Sequence, residues 1–435
     1  MAADQADSVP GSVGTELRVG KVIMARRRDA LAAHREALGF TQEALAQTLG
    51  VELSTVGRWE RGTLTPQPWR RPDLARALNL SLEELDAFLN PPRVVGDFSP
   101  ATRRDVIIDA ALLASAAVAD RIVGKQGDRA EPIAELISPP QTLSGASGLV
   151  ADVHRAYQAA HYSKAARMLP LVSAGIAALT AEGPADQQRE AFSLQCSLSI
   201  AAAKLATKTG DIAGAWVAAE QARGAAETAD DEFGLAAAAY QRTCALLRDG
   251  RSVDAEEAAF SAAESRRGSD PQNLTWRGAL TLIGAVIAAR RGDAAEAARR
   301  LNHADDLARR LGKDANIGWT AFGPSNVLIH RVSVAIALND PYGAIATAEQ
   351  MDITSLPVGL RGRQAQFHLD SSWAHAQLGE DLQAVIHLLD TERVAPELIL
   401  ANPNAHALIK ELLGRERRRA VPGLRGLALR AGVAA

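Results

Sequence analysis

Residues 41–62, with the sequence TQEALAQTLGVELSTVGRWERG, contain the pattern that decides the fold of the N-terminal part of this chain. Thr41 precedes a run of leucine and alanine at helical spacing, and its hydroxyl is suited to cap the first turn of a helix. Gly50 follows the run and is expected to end the helix, because glycine adopts the left-handed conformation of a helix C-terminus at little steric cost. The stretch therefore predicts a short amphipathic helix that ends in a tight turn.

A second short helix is predicted directly after this turn. Ser54 is its candidate N-cap, and Val56 and Trp59 share the face that would pack inward. The opposite face is polar and carries Ser54, Thr55, Arg58 and Arg61. Two short helices joined in this way present the second one to the major groove of DNA, where each base pair displays its own pattern of donors and acceptors.

The stretch resembles the helix-turn-helix of the phage-repressor (Xre, Cro and cI) superfamily. It matches the pattern Thr-Gln-Glu-x-Leu-Ala, then Gly, then Val-x-x-Trp-Glu-x-Gly. The resemblance extends over residues 26–89 and implies a five-helix domain that binds double-stranded DNA. It also implies a buried ion pair between Arg35 in the first helix and Glu60 in the second helix of the motif.

The resemblance implies roles for individual side chains at the DNA. Arg58 is the best candidate for direct readout, because a guanidinium can donate two hydrogen bonds to guanine. Leu53 stands where some members carry a polar base-reading residue, so it would contact a thymine methyl group instead. The side chains implied at base edges are Ser54, Thr55 and Arg58, and those implied at the phosphates are Gln42 and Arg61.

Composition narrows the class of protein. A chain of 435 residues predicts two to three domains, and its alanine- and leucine-rich, aromatic-poor make-up favours helices. A net charge of -3 means that any DNA-facing charge is local. Cys196 and Cys244 form no metal-ligand spacing and suit a reducing cytoplasm. No signal peptide is predicted, and the apolar run after Arg104 falls short of the roughly 20 residues of a membrane span.

The chain is predicted to be all-α and to consist of four parts. Residues 1–20 form a disordered N-terminus, and residues 21–93 form the DNA-binding domain. Residues 94–146, which begin near the proline-rich stretch PPRVVGDFSP, form a linker with one connecting helix at about 101–122. Residues 147–435 form a solenoid of helical hairpins.

The solenoid prediction depends on an internal repeat. A Gly-Asp-like turn is followed five residues later by alanine, and the intervals between successive turns are 40, 42, 47 and 40 residues. This resembles the tetratricopeptide repeat, whose period is 34 residues, with longer joints. The whole layout is similar to actinobacterial regulators that pair a helix-turn-helix with a tetratricopeptide-like domain, often in secondary metabolism. The turns begin at Gly210, Gly250, Gly292, Asn339 and Gly379, with a degenerate copy at Ala160.

Measured back from each turn, three rows of side chains are expected to face the concave side of the repeats. Two residues before the turns stand Lys208, Arg248, Arg290, Ala337 and Gln377. Six residues before them stand Lys204, Cys244, Val286, Ser333 and Trp373. Thirteen residues before them stand Ser197, Ala237, Ala279, Asn326 and Gln366.

Polar and aromatic members of these rows form a candidate effector site. Amides bind a peptide backbone and cations bind carboxylates, so the site fits a short peptide or a small anionic effector. Alternatively, the basic row is a solvated helix face and His330 is structural. We predict that three other aromatic side chains pack in the core, namely those of Trp276, Trp319 and Phe322. The candidate site residues are Lys204, Lys208, Tyr240, Arg248, Arg290, Asn326, His330, Gln366 and Trp373.

The sequence favours a regulator over an enzyme. It contains no glycine-rich phosphate loop, metal-ligand cluster or catalytic triad, so we predict no enzyme activity, cofactor or metal site. The leading hypothesis is a cytoplasmic, sequence-specific transcriptional regulator that binds a palindromic operator as a homodimer. A protein-binding scaffold or adaptor with a minor DNA role is the alternative, and an antitoxin-like partner is a weaker third.

Overall fold

The computed structural model describes residues 29–51, 53–61, 66, 71–80, 82–89, 138–353, 356–357, 359–416 and 421–433. All regular secondary structure in these ranges is helical, which confirms the all-α prediction. The predicted disordered N-terminus at 1–20 and the predicted connecting helix at 101–122 lie outside the described residues. The chain divides into two compact units, Met1–Gly96 and Asp97–Ala435.

The described part of the first unit contains five short helices around a small apolar core. Thr41 accepts a hydrogen bond from the Ala44 backbone N–H, and Gly50 adopts φ 60° and ψ 44°, as the sequence predicts. The core is built from leucines and the inward residues of the third helix, Val56 and Trp59. The helices are α1 (Asp29–Ala37), α2 (Gln42–Leu49), α3 (Leu53–Glu60), α4 (Arg71–Ala77) and α5 (Leu82–Leu89).

The predicted cap of the third helix is wrong. Helix α3 begins at Leu53, so Ser54 lies in its first turn and not before it. The reason is the compactness of the preceding turn. The Val51 N–H already bonds back to the Ala46 carbonyl, and only one further residue separates Val51 from the new helix.

The described part of the second unit is an array of helical hairpins. Its first helix begins at Leu143, inside the stretch that the sequence analysis assigned to the linker. The helices are α6 (Leu143–Gln158), α7 (Tyr162–Glu182), α8 (Ala185–Thr209), α9 (Ile212–Ala229), α10 (Glu232–Arg248), α11 (Ser252–Glu264), α12 (Pro271–Arg290), α13 (Ala294–Leu311), α14 (Pro324–Ala337), α15 (Pro341–Ala348), α16 (Arg361–Gln377), α17 (Asp381–Val394), α18 (Pro396–Ala401), α19 (Pro403–Arg415) and α20 (Leu424–Arg430).

The predicted turns join the two helices of successive hairpins. All six turn residues, including the degenerate Ala160, adopt the left-handed conformation with φ between 58° and 79°. The alanine five residues after each turn is at most 1% exposed. A methyl group at this position lets the second helix of each hairpin approach the first closely. These alanines are Ala165, Ala215, Ala255, Ala297, Ala344 and Ala384.

The last helices of the second unit pack against its first helices. The carboxylate of Glu397 in α18 accepts hydrogen bonds from the Ser163 N–H at 2.6 Å and from the Ser163 hydroxyl at 2.7 Å, at the start of α7. Leu398 and Ile399 share one apolar core with residues of α6, α7 and α8. The two ends of the described array therefore meet, and the last helices cover part of its concave face.

Residues 312–323, which we call the strap, connect α13 to α14 across this concave face. Asn316 and Gln158 exchange two amide hydrogen bonds of 2.8 Å. The indole of Trp319 stacks on His154 with ring centroids 4.8 Å apart, and Trp319 adopts φ 58°. Trp319 is only half-buried, so its assignment to core packing is wrong, whereas Trp276 and Phe322 are buried as predicted.

Candidate nucleic-acid interface and ligand cavity

Helix α3 exposes a polar face on the first unit. Val56 and Trp59 hold the opposite face in the core. Ser54, Arg58 and Arg61 are exposed, Thr55 is half-buried, and Leu53 is 51% exposed. Leu53, Ser54, Thr55 and Arg58, to which the resemblance assigns base contacts, therefore lie on one surface of the described part of this unit.

A buried ion pair fixes the position of α3. Arg35 Nε donates to Glu60 Oε1 at 2.6 Å and Arg35 Nη1 donates to the Phe40 carbonyl at 2.5 Å. The hydrogen bond with Glu60 raises the pKa of Arg35. The pair that the resemblance implies thus joins α1 to the C-terminal end of α3.

Gln42, which the resemblance places at phosphate, also contacts this pair. Its Nε2 donates to Glu60 Oε2 at 2.5 Å and so ties the start of α2 to the end of α3. A side-chain amide has two N–H donors, and the second is the one that a phosphate contact would use.

Comparison with known proteins agrees with this geometry. Residues 28–88 match the family described as a helix-turn-helix domain. The protein is also similar to the uncharacterized HTH-type transcriptional regulator YazB of Bacillus subtilis (strain 168), with 42% identity over 53 residues, which are 12% of this chain and 77% of that protein. This chain belongs to the helix-turn-helix family. No solved structure matches it significantly.

The second unit of this helix-turn-helix protein contains a cavity of about 510 Å³ on its concave face. Eight of the nine predicted effector residues line it: Lys204, Lys208, Tyr240, Arg248, Arg290, His330, Gln366 and Trp373. Asn326 does not line it. Asn326 is buried within helix packing, and its Oδ1 has no hydrogen-bond partner among the described residues.

The three predicted rows differ in how well they map onto the cavity. All five residues of the row six positions before the turns line the cavity. Four of the five residues of the row two positions before the turns also line it. Of the row thirteen before the turns, only Gln366 does. All three rows share one helix face, but the last lies about 10 Å further along the helix, at 1.5 Å per residue, and so beyond the cavity.

Positive charge dominates the cavity wall. Three arginines and two lysines line it: Lys204, Lys208, Arg248, Arg290 and Arg363. Asp370 is the single carboxylate among the described lining residues, and it accepts hydrogen bonds from Ser333 Oγ and from Gln366 Nε2. Sequence reasoning missed Arg363 and Asp370, because neither lies in one of the three rows.

The lysines of the cavity donate to neutral oxygens. Lys204 Nζ lies 2.9 Å from the carbonyl oxygen of Trp319, in the strap, and Lys208 Nζ lies 2.8 Å from Gln366 Oε1. Arg290 and Arg363 likewise donate to backbone carbonyls. Within the described ranges, none of the five cations forms an ion pair with a carboxylate.

Burial shifts the titration of the groups around the cavity. Together with the nearby charge of Arg363, it lowers the pKa of Lys204 to about 7 and that of Lys208 to about 8. Burial also lowers the pKa of His330 to about 4, raises that of Cys244 to about 11 and raises that of Asp370. The unliganded cavity therefore opposes further positive charge.

A small cluster elsewhere has the donors of a cation site. His368 Nδ1 and His387 Nδ1 lie 3.2 Å apart across the hairpin of α16 and α17, and Asp390 completes the group. No metal-ligand cluster was predicted from the sequence, in which the two histidines are 19 positions apart. Arg393 already pairs with Asp390 and its charge opposes a metal ion there. No helix in the described ranges is long and apolar enough to cross a membrane.

Proposed function

We propose that this protein is a sequence-specific transcriptional regulator that reads duplex DNA with α3. The observation that carries the proposal is the exposed polar face of α3, with Ser54, Thr55 and Arg58 held outward by the buried Arg35–Glu60 pair. An α-helix with this face fits the major groove, where base edges are distinguishable. The relative from Bacillus subtilis, named a transcriptional regulator, supports the same role here.

The regulator acts as a homodimer on a palindromic operator. One short recognition helix gathers few base contacts, and helix-turn-helix proteins usually combine two half-sites about one helical turn apart. The chain carries a net charge of -3, so nonspecific attraction to phosphates supplies little of its affinity. The helical repeats, which we assign to the tetratricopeptide class, provide the dimer contacts.

The second unit senses an effector in the cytoplasm. Its cavity has a volume of about 510 Å³, within the range of small-molecule sites. An effector that binds one arrangement of the dimer more tightly would change the spacing of the two recognition helices and therefore the DNA affinity. The genes it controls would include those of secondary metabolism, as the resemblance implies.

Selection of bound fragments from genomic DNA by the purified full-length protein tests this function. We expect a shared sequence made of two inverted half-sites, and a shift in gel mobility that is lost when Arg58 and Ser54 are replaced by alanine. The matched control is Arg76→Ala, which removes an exposed arginine from α4. If the double variant bound the selected fragments as well as the Arg76→Ala control does, the assignment of α3 as the reading helix would be overturned.

A further inference from the structure

We infer that the cavity of the second unit binds a compact organic anion that carries at least two negative charges and an apolar or aromatic body. The inference rests on the proposed sensory function and adds the chemical class of the effector. Its test does not involve DNA, so failure of the inference and failure of the regulatory function are distinguishable.

The charge balance of the cavity supports an anion. Lys204, Lys208 and three arginines face a single carboxylate, and that carboxylate is already held by Ser333 and Gln366. Like charges gathered in a partly buried site destabilise a folded protein unless opposite charge compensates them. A ligand with two or more negative charges would compensate most of the excess, and guanidinium groups suit carboxylate and phosphate oxygens because they donate two parallel hydrogen bonds.

An unpartnered donor independently points to a ligand. Tyr162 lines the cavity and is 1% exposed, yet its hydroxyl has no hydrogen-bond partner among the described residues. A buried hydroxyl without a partner carries an unrecovered desolvation cost. Burial raises the pKa of Tyr162 well above its ordinary value, so the hydroxyl keeps its proton and can donate a hydrogen bond to an anionic oxygen.

The strap and the last helices, which cover part of the site, favour a compact ligand over an extended peptide. The strap crosses the concave face and is held by the Gln158–Asn316 amide pair, and the last helices close the array through Glu397 and Ser163. An extended chain advances about 3.3 Å per residue and needs an open path at both ends. The remaining wall is aromatic and aliphatic, and it includes Tyr157, Tyr240, Ile283, Val286, Trp319 and Trp373.

Protons are taken up when the anion binds. At pH 8 the cavity tyrosines and Cys244 keep their protons and His330 is neutral, because burial moves each pKa away from pH 8. Lys204, with a pKa of about 7, and Lys208, with a pKa of about 8, are the groups that gain protons as an anion raises their pKa. An anion that binds only at the protein surface would take up none.

The test uses the full-length protein and three named probes at low salt. Naphthalene-1,5-disulfonate is an aromatic anion with no group that titrates near pH 8, citrate carries carboxylates, and fructose 1,6-bisphosphate carries phosphates. Competition of citrate and of fructose 1,6-bisphosphate with the disulfonate separates the two oxyanion sources. Calorimetry at pH 8 in buffers of different ionisation enthalpy gives affinity, stoichiometry and proton uptake. We expect one site per chain, with proton uptake that the Lys204→Met/Lys208→Met variant loses.

Three variants that each remove one positive charge show where the probes bind. Arg290→Gln and Lys208→Gln should each weaken binding by about tenfold or more, since each removes a charge-assisted hydrogen bond. Arg309→Gln, which removes a 67% exposed arginine of α13, should leave affinity within about twofold. Equal weakening in all three variants would overturn the proposal, as would the absence of saturable binding by all three probes.

A second measurement on the wild-type protein covers the case in which variants fold poorly. Cys244 lines the cavity, whereas Cys196 is buried in a separate apolar cluster. A bound probe should slow alkylation of Cys244 by iodoacetamide at least fivefold and leave Cys196 unchanged. Unchanged alkylation of Cys244 at saturating probe would place the anion elsewhere and overturn the assignment.

Discussion

Arg35 and Glu60 meet inside the first unit, where Arg35 Nε lies 2.6 Å from Glu60 Oε1 and the two residues are 4% and 6% exposed. The pair connects α1 with the last residue of the recognition helix, and Gln42 donates to the same carboxylate from the start of α2. Three helices of the motif therefore converge on one carboxylate. The orientation of the DNA-reading face depends on a contact that does not itself touch DNA.

Replacing Glu60 with alanine should destabilise the first unit by about 3–5 kcal/mol, because it leaves the Arg35 guanidinium buried without its partner. Hydrogen exchange of peptides from residues 29–61 in the full-length protein measures the loss. Asp73→Ala is the matched control. It breaks the exposed ion pair with Arg76 and should cost less than about 1 kcal/mol. Equal protection in both variants would contradict a structural role for the buried pair.

Arg58 and Arg61 should affect DNA binding in different ways. Arg58→Ala should lower affinity for the selected operator by about 1–3 kcal/mol and relax specificity at one base position, because it removes a base contact. Arg61→Ala should weaken all sequences evenly and reduce the salt dependence by about one unit of slope, because it removes a phosphate contact. Fluorescence anisotropy with operator variants at several salt concentrations separates these outcomes, and identical profiles would show that one role is misassigned.

The hairpin array and many of the residues that line its cavity were predictable, because the positions of the turns define the register of each hairpin in the sequence. Left-handed residues such as Gly210 and Gly292 fix where each hairpin bends, and helical periodicity then determines which residues of the preceding helix share a face. Lys204 and Lys208 could be predicted as residues of the concave face for this reason. The pattern depends only on local geometry, which a single sequence contains.

The partial cover over the cavity was not predictable in the same way. Arg363 lies in the first turn of α16, outside the rows, and it faces the cavity because the last hairpins pack back against α6. The Glu397–Ser163 contact joins positions 234 residues apart, and no periodic signal marks it. Apolar periodicity does not indicate that the strap crosses the concave face, and Trp319 was therefore predicted to lie in the core.

The stability of the ligand-free second unit should rise between pH 7 and 8.5. Burial lowers the pKa of Lys204 to about 7 and of Lys208 to about 8, whereas an unfolded lysine titrates near about 10.4. The unfolded state therefore binds more protons in this interval, and the free energy of unfolding increases with pH, by about 1–2 kcal/mol. Above about pH 8.5 the buried thiols act in the opposite direction, because they keep protons that unfolded cysteines lose.

Denaturant titration at low ionic strength, with hydrogen exchange to assign the second unit, measures this dependence. The Lys204→Met/Lys208→Met variant should show a flat profile over the same interval. Lys410→Met removes an exposed lysine of α19 and should keep the wild-type slope. A slope that survives in the double variant would mean that other groups cause it.

The strap should depend on a glycine in α12. Phe322 is fully buried, and a Cβ atom at Gly278 would overlap its ring. Gly278→Ala should therefore destabilise the second unit by about 1–3 kcal/mol through overpacking and increase hydrogen exchange in residues 312–323. Gly224→Ala is the control, since a Cβ there meets no atom within 4 Å in the middle of α9, and it should stabilise the helix by about 0.5–1 kcal/mol. If Gly278→Ala instead behaved like Gly224→Ala, Phe322 would not be the anchor of the strap, and the partial cover over the cavity would have to depend on the Gln158–Asn316 and Glu397–Ser163 contacts alone.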